Sequence, residues 1–206
     1  MIIVRRFEAG PIQANNYLVT DKESKEAVLI DCTEKNDEIL DAVDDLGVKT
    51  KYILLTHGHF DHVLGVNEMK NALNAEVLIH SGDVCQLENT NSILSVFGFG
   101  SSETPKHDRF VNDGDELFIG RTKIKVIHTP GHTNGGVCYL IEDKLFSGDT
   151  LFLESVGRTD LAGGDFDKLE NSVKNVLFKL DENITVYPGH GPETTIGHEK
   201  LYNEIL

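Results

Sequence analysis

Short apolar runs broken by polar turns open the chain. Residues 2–7 are rich in β-formers, and 16–20 and 27–30 are two further runs separated by Asp21-Lys22-Glu23-Ser24. Such runs between turn-forming clusters predict three strands. The period then changes. Ile39, Leu40, Val43 and Leu46 recur at helical spacing, with Thr33 as the expected cap, Asn36 or Asp37 near the start and Gly47 as the stop. A strand over 52–55, a helix over 63–73 and a strand over 76–79 follow. Residues 88–108 break the rhythm with Asn89-Thr90-Asn91-Ser92, Phe97-Gly98-Phe99-Gly100 and Ser101-Ser102. They predict a loop or short-helix excursion, a candidate lid whose aromatic residues singly read as packing on the body. Four strands come next, over 116–119, 123–127, 137–141 and 144–146, joined by turns at Gly120-Arg121 and Glu142-Asp143. Asp165 starts a helix with Leu169, Val173, Val176 and Leu177 on its apolar stripe, and a last strand over 184–187 and a last helix over 199–206 close the chain. Strands and helices arrive as mixed blocks, without strict alternation. That order predicts an α+β protein in which sheets pack on each other with helices outside.

Length and composition narrow this. At 206 residues the chain suffices for one sizeable core, so a single domain over 1–206 is expected. The net charge of -15 argues against a nucleic-acid binder, whose affinity comes from lysines and arginines on phosphates, and against docking to an anionic membrane. Cys32, Cys85 and Cys138 are scattered and form no Cys-x-x-Cys pair, which suits a reducing compartment better than a disulfide framework. No apolar run reaches the ~18 residues of a membrane span. The opening Met1-Ile2-Ile3-Val4-Arg5-Arg6 reads as a strand and not as an export signal. A soluble cytoplasmic protein is the expectation.

The chemistry is concentrated in His57-Gly58-His59-Phe60-Asp61-His62, directly after an apolar run. Imidazoles and a carboxylate packed this closely suit zinc, manganese or iron. Three later stretches repeat one design, a ligand-type residue just past a strand in a loop with glycine or proline. They are His128-Thr129-Pro130-Gly131-His132, Ser147-Gly148-Asp149-Thr150 and Tyr187-Pro188-Gly189-His190-Gly191. Glycine lets the backbone turn sharply beside an ion. Each stretch is a weak signal alone, and together in this order they are strong.

In these motifs the chain resembles the metallo-β-lactamase superfamily along nearly its whole length, with Asp31 after the third strand as the opening element. Within it the chain looks most like a short glyoxalase II-type hydrolase, through Ser147-Gly148-Asp149-Thr150-Leu151-Phe152, Gly157-Arg158-Thr159-Asp160-Leu161 and Pro188-Gly189-His190-Gly191-Pro192-Glu193-Thr194-Thr195. The resemblance implies an αββα sandwich with two divalent metal ions at one edge, zinc first and iron or manganese next. His57, His59 and His132 would hold one ion, Asp61, His62 and His190 the other, and Asp149 would bridge them. Asp61 and Asp149 are thereby the candidate catalytic carboxylates. Two ions about 3.5 Å apart repel, so bridging anions are physically useful. Asp31 is expected to orient a histidine ring, its plainer reading being a strand-ending turn residue. His80, His107, His128 and His198 are expected to be structural or surface residues.

A metal lowers the pKa of bound water toward ~7 and so supplies hydroxide at neutral pH. That hydroxide would attack a carbonyl, with a metal or an amide of Gly135-Gly136 stabilising the oxyanion. By resemblance the substrate is a small-molecule thioester such as S-lactoylglutathione. Full-length glyoxalase II enzymes carry a further helical domain with basic glutathione contacts. This chain ends at Leu206, so Arg158 and Lys200 are the expected replacements, unless Arg158 simply pairs with Asp160. A mononuclear iron persulfide dioxygenase, using His57, His132 and Asp149, is the rival from another reaction class. A β-lactamase is a further rival, disfavoured by Asp149 and by the lack of an export signal. An RNA-processing nuclease is disfavoured by the charge, and a flavodiiron protein by His59, where that branch expects glutamate.

Overall fold

β1 (Ile2–Ala9), β2 (Ala14–Asp21) and β3 (Glu26–Ile30) run antiparallel in sequence order, each turn short enough for a hairpin. The computed structural model describes residues 1–205, apart from the side chain of Phe97. α1 (Asp37–Leu46) then crosses over, so that β4 (Lys49–Leu54) lies parallel to β3. α2 (Phe60–Val63) and α3 (Val66–Leu73) make the next crossover, to β5 (Glu76–His80). α4 (Val84–Glu88) and α5 (Thr90–Phe97) lead to β6 (Arg109–Val111) at the sheet edge. The second sheet is built from β7 (Glu116–Ile119), β8 (Thr122–His128), β9 (Val137–Ile141) and β10 (Lys144–Gly148), all antiparallel. A small hairpin of β11 (Leu151–Phe152) and β12 (Ser155–Val156) and the helix α6 (Phe166–Asn171) follow. β13 (Thr185–Pro188) joins β10 in parallel, β14 (Thr194–Thr195) lies beside it, and α7 (Ile196–Tyr202) ends the fold.

The sheet orders are β1-β2-β3-β4-β5-β6 and β14-β13-β10-β9-β8-β7. Successive strand residues point to opposite faces, and here both faces are covered. Val28, Ile30, Leu54 and Leu78 of the first sheet meet Val126, Tyr139 and Phe146 of the second. Leu29, Ile53 and Val77 turn the other way, against Ile39, Val63, Val66 and Met69 of the helices. Cys138, Leu145 and Val186 pack outward on Val173, Leu177 and Ile196. Each large side chain so buried contributes about 1.5–3 kcal/mol. The result is the helix–sheet–sheet–helix sandwich expected from the sequence. Among the described residues no helix is long and apolar enough to cross a membrane.

Several element boundaries differ from expectation for identifiable reasons. The cap of α1 is Asn36, whose side chain accepts from Ile39 N; Thr33 is buried and its amide donates to Asn16 Oδ1. The helix expected over 63–73 starts earlier, at Phe60, and is broken at Leu64-Gly65, where a side chain on Gly65 would run into the Glu34 backbone at 2.3 Å. The stretch 88–108 holds the short helix α5 followed by an irregular approach to β6, in keeping with the short-helix excursion expected. Of its aromatic residues, Phe99 packs near Phe60 at 5.8 Å, while the side chain of Phe97 lies outside the described residues. After α6 the helix loosens into a π turn over Ser172–Val176 and a tight turn over Leu177–Lys179. α7 starts at Ile196, capped by Thr195, earlier than the 199 expected; Leu206 lies outside the described residues.

Candidate metal centre

The loops after β3, β4, β8, β10 and β13 converge at one end of the sandwich. Past β4 the chain bends at Thr56, passes His57 and reaches His59 with an extended backbone, then coils into the single turn of α2. Asp61 and His62 therefore project from that turn beside the two earlier rings. His132 comes from the loop after β8, Asp149 directly follows β10, and His190 follows β13. The first four residues thus hang from one sheet and the last three from the other.

All seven side chains named by the motif meet. The donor atoms of His57, His59 and His132 lie within 4.8 Å of one another, and so do those of Asp61, His62 and His190. Asp149 sits between the two groups, with Oδ1 3.5 Å from His62 Nε2 and Oδ2 3.5 Å from His132 Nε2. Asp61 Oδ2 stands 3.2 Å from His190 Nε2.

Neighbours fix how the rings face. Asp31 is almost fully buried and takes a left-handed backbone, φ 58, which an aspartate tolerates better than most residues. Its Oδ1 accepts from Thr56 N, and its Oδ2 accepts from Thr56 Oγ1 and from His62 Nδ1 at 2.9 Å. That contact turns His62 Nε2 toward the centre, the ring-orienting geometry expected of Asp31. His132 Nδ1 likewise donates to the Arg158 carbonyl at 2.7 Å, leaving Nε2 toward the centre.

This donor set suits cations. His57 Nε2 and Asp149 Oδ1 are buried without a hydrogen-bond partner. His59 Nδ1 and His132 Nε2 face each other at 2.8 Å, as do His62 Nε2 and His190 Nε2 at 3.2 Å. With these nitrogens unprotonated, as metal ligation requires, rings so close would repel unless positive charge lay between or beside them. Titration follows the same division. Burial, reinforced by neighbouring rings, pushes His57 well below the usual histidine value and His59 down to about 4. Burial pulls His62 down too, yet Asp61, Asp149 and Asp31 together outweigh it and raise the ring to about 10. Burial opposes the shift of Asp61 as well, but His62 and His190 hold its carboxyl below the ordinary range.

Asp83 escaped sequence reasoning. It is fully buried, and its carboxylate accepts from Gly58 N at 3.0 Å, Thr133 Oγ1 at 2.7 Å and Gly135 N at 2.6 Å. One side chain therefore ties the first histidine loop to the loop of His132. The available signal was Ser81-Gly82-Asp83 after β5, a further acidic residue beside glycine past a strand. The same contacts correct one expectation: the Gly135 amide is committed to Asp83 and does not face a reacting carbonyl.

A cleft of about 600 Å³ opens over the centre, with His59, Asp61, His132, Asp149 and His190 in its floor. Arg158 lines it, but its guanidinium is held by Asp160 through two bonds of 2.7 Å. Lys200 does not line it and pairs with Glu182. The other histidines lie elsewhere: His80 stacks on His128, His107 rests on Phe110, and His198 contacts Glu154.

The fold and these clusters define a metal-binding protein of a hydrolase type, and the family can be stated outright. The chain belongs to the metallo-beta-lactamase superfamily, whose family model matches residues 9–190. A protein of Aquifex aeolicus (strain VF5) is 39% identical over 98% of this chain and 96% of its own. The hydroxyacylglutathione hydrolase GloC of Haemophilus influenzae is 33% identical over 94% of this chain and 93% of its own. Among solved structures, the BLEG-1 B3 metallo-beta-lactamase superposes with a TM-score of 0.91 at 36% identity, covering 99% of both chains. TTHA1623 in a di-iron-bound form gives 0.88 at 36% identity, covering 98% of this chain and 100% of that one. ETHE1 from Myxococcus xanthus gives 0.83 at 30% identity, covering 98% and 83%.

Proposed function

We propose that this protein is a binuclear metallohydrolase that cleaves a thioester, with S-lactoylglutathione as the reference compound. The observation that carries the reading is the pair of three-residue donor groups with Asp149 between them, 3.5 Å from a ring of each. His57, His59 and His132 would hold one ion, Asp61, His62 and His190 the other, with Asp149 shared. Zinc is the first candidate; iron and manganese suit the same donors, and the similarity to a di-iron protein keeps iron close behind. The name of the GloC relative supports the thioester.

Bound there, the ions supply acidified water and Lewis acidity. The chain's own residues do the rest. Asp31 and the Arg158 carbonyl lock the His62 and His132 rings in place. Asp61 and Asp149, both on the cleft, offset part of the cationic charge. No cysteine is placed for covalent attack: Cys32 and Cys138 are buried, burial pushing the Cys138 thiol up to about 11, and Cys85 is not in the cleft lining. On this reading water is the nucleophile. Its oxygen joins the carbonyl carbon, the C–S bond breaks, and a proton leaves with the thiol. A cleft of about 600 Å³ has room for a small-molecule substrate.

The test is metal analysis of the purified protein beside a substrate panel of S-lactoylglutathione, a coenzyme A thioester and a lactam. About two ions per chain and thioester cleavage are expected. One iron per chain with oxygen uptake on glutathione persulfide would replace this reading with the dioxygenase. Turnover of the lactam alone would replace it with a β-lactamase.

A further inference from the structure

The wall of the cleft carries information that the donor cluster does not. Above the histidines it is formed by Ile12, Phe60, Ile93, Phe152, Val156 and Leu161, contributed by four separate segments of the chain. Ile12 and Leu161 are large apolar side chains left 43% and 37% exposed at its mouth. Among the described residues Arg158 is the one lysine or arginine in the lining. Its Nε and Nη2 are already engaged by Asp160, so a substrate carboxylate would have to compete with that partner for the same edge. The molecule as a whole stands at -15.

We propose that the substrate is an apolar thioester, with a hydrocarbon acyl group and a thiol half free of carboxylates. The inference rests on the thioester reading and names which thioester the site selects. A hydrocarbon chain gains by leaving water against such a wall, about fourfold in binding per buried methylene. The two carboxylates of a glutathione conjugate would lose solvation against that wall, which offers no lysine and no unpaired arginine to replace it. A pocket with an apolar wall and a few polar groups at its floor holds a ligand by shape and burial, leaving the polar groups to orient the reacting bond.

The experiment is a two-by-two panel. Hexanoyl and lactoyl groups are each carried on N-acetylcysteamine, which is neutral, and on glutathione, and kcat/KM is measured with metal-quantified protein. Binding of S-hexyl-N-acetylcysteamine and S-hexylglutathione, which cannot be hydrolysed, is measured alongside by calorimetry. Hexanoyl should exceed lactoyl on either thiol, and the neutral thioether should bind more tightly than the glutathione one, each by about tenfold or more. Ile12→Lys and Leu161→Lys, at partly exposed positions that tolerate a charge, should each move the binding ratio toward the glutathione compound. A wild-type preference for lactoyl or for glutathione would overturn the inference and leave the hydrolase standing. Failure to cleave any of the four by protein holding two ions per chain would remove the thioester reading itself, and the inference with it.

Discussion

Asp83 touches none of the seven clustered donors, yet two of the loops that present them meet on its carboxylate. Replacing it by alanine leaves the amides of Gly58 and Gly135 and the hydroxyl of Thr133 buried without their acceptor. Each stranded group costs about 1–3 kcal/mol. For a chain of this size the thermal midpoint should fall by roughly 5 °C or more. Metal content should fall with it, because His59 and His132 would no longer be held in register. Asp83→Asn, which keeps one acceptor, should do less damage. Calorimetry on both variants decides; an unshifted midpoint for Asp83→Ala would mean the clasp carries no load. His62 makes a second case at the same scale. In the metal-free protein the surrounding carboxylates outweigh burial and raise it to about 10. A raised histidine contributes stability below its unfolded value, near 6.5, and loses it as pH rises through 10. His59, lowered to about 4 by burial and by His132, acts in the opposite sense, costing stability as pH falls below 6.5. A cation entering beside His59 therefore meets a neutral ring at pH 7, whereas one entering beside His62 displaces a proton. Metal uptake at neutral pH should release about one proton or more. Titration calorimetry in two buffers of different ionisation enthalpy measures this, and identical heats would refute it.

At the scale of elements, the strand ends do the positioning, and glycine is what lets them come close. A side chain on Gly189 would sit 2.2 Å from Asp149 Oδ1 and 2.9 Å from His62 Cε1. The carboxylate is the group free to move, so Gly189→Ala should push Asp149 aside. Metal content and activity should drop while the metal-free thermal midpoint moves by less than it does for Asp83→Ala; full occupancy in this variant would show that Asp149 is not held where its neighbours require it. Legibility followed the same boundary between local and assembled features. Strands such as β3 and β9 are short apolar runs between turn residues, and the motif from His57 to His62 is contiguous, so both stand out in the sequence. The π turn over Ser172–Val176 and the two-residue strands β11, β12 and β14 are too short to leave a periodic signal. The break at Gly65 exists because the Glu34 backbone crosses there, a contact between separate segments. α5 was obscured by its asparagines and by the glycines that follow it. The clasp at Asp83 and the apolar wall exist only after folding, since Ile12, Ile93 and the stretch holding Phe152 and Leu161 lie far apart along the chain.

Across the whole molecule, each donor group draws on both sheets. His57 and His59 hang from the first sheet and His132 from the second, while Asp61 and His62 hang from the first and His190 from the second. The same end of the sandwich is crossed by backbone bonds between the sheets. Asn15 N donates to Gly189 O at 2.7 Å and Val137 N to Thr56 O at 2.8 Å. Side chains cross there too, from Tyr17 Oη to Pro188 O and from Tyr139 Oη to Leu55 O. Ions held by both sheets would act as rivets along this seam, far from the middle of either sheet. Ligands that bind the folded state alone stabilise it by about 2.7 kcal/mol at a hundred times their dissociation constant, or roughly 5–10 °C in a chain of this length. Chelation should therefore lower the midpoint by that order, and the loss should be local before it is global. Hydrogen exchange should quicken at the amides of Asn15 and Val137 on chelation, while those of Leu29 and Tyr139, inside the ladders, keep their protection until the protein unfolds as a whole. Equal acceleration at all four amides would show that metal supports the entire sandwich evenly, and no change at the seam would show that the two sheets are locked together without it.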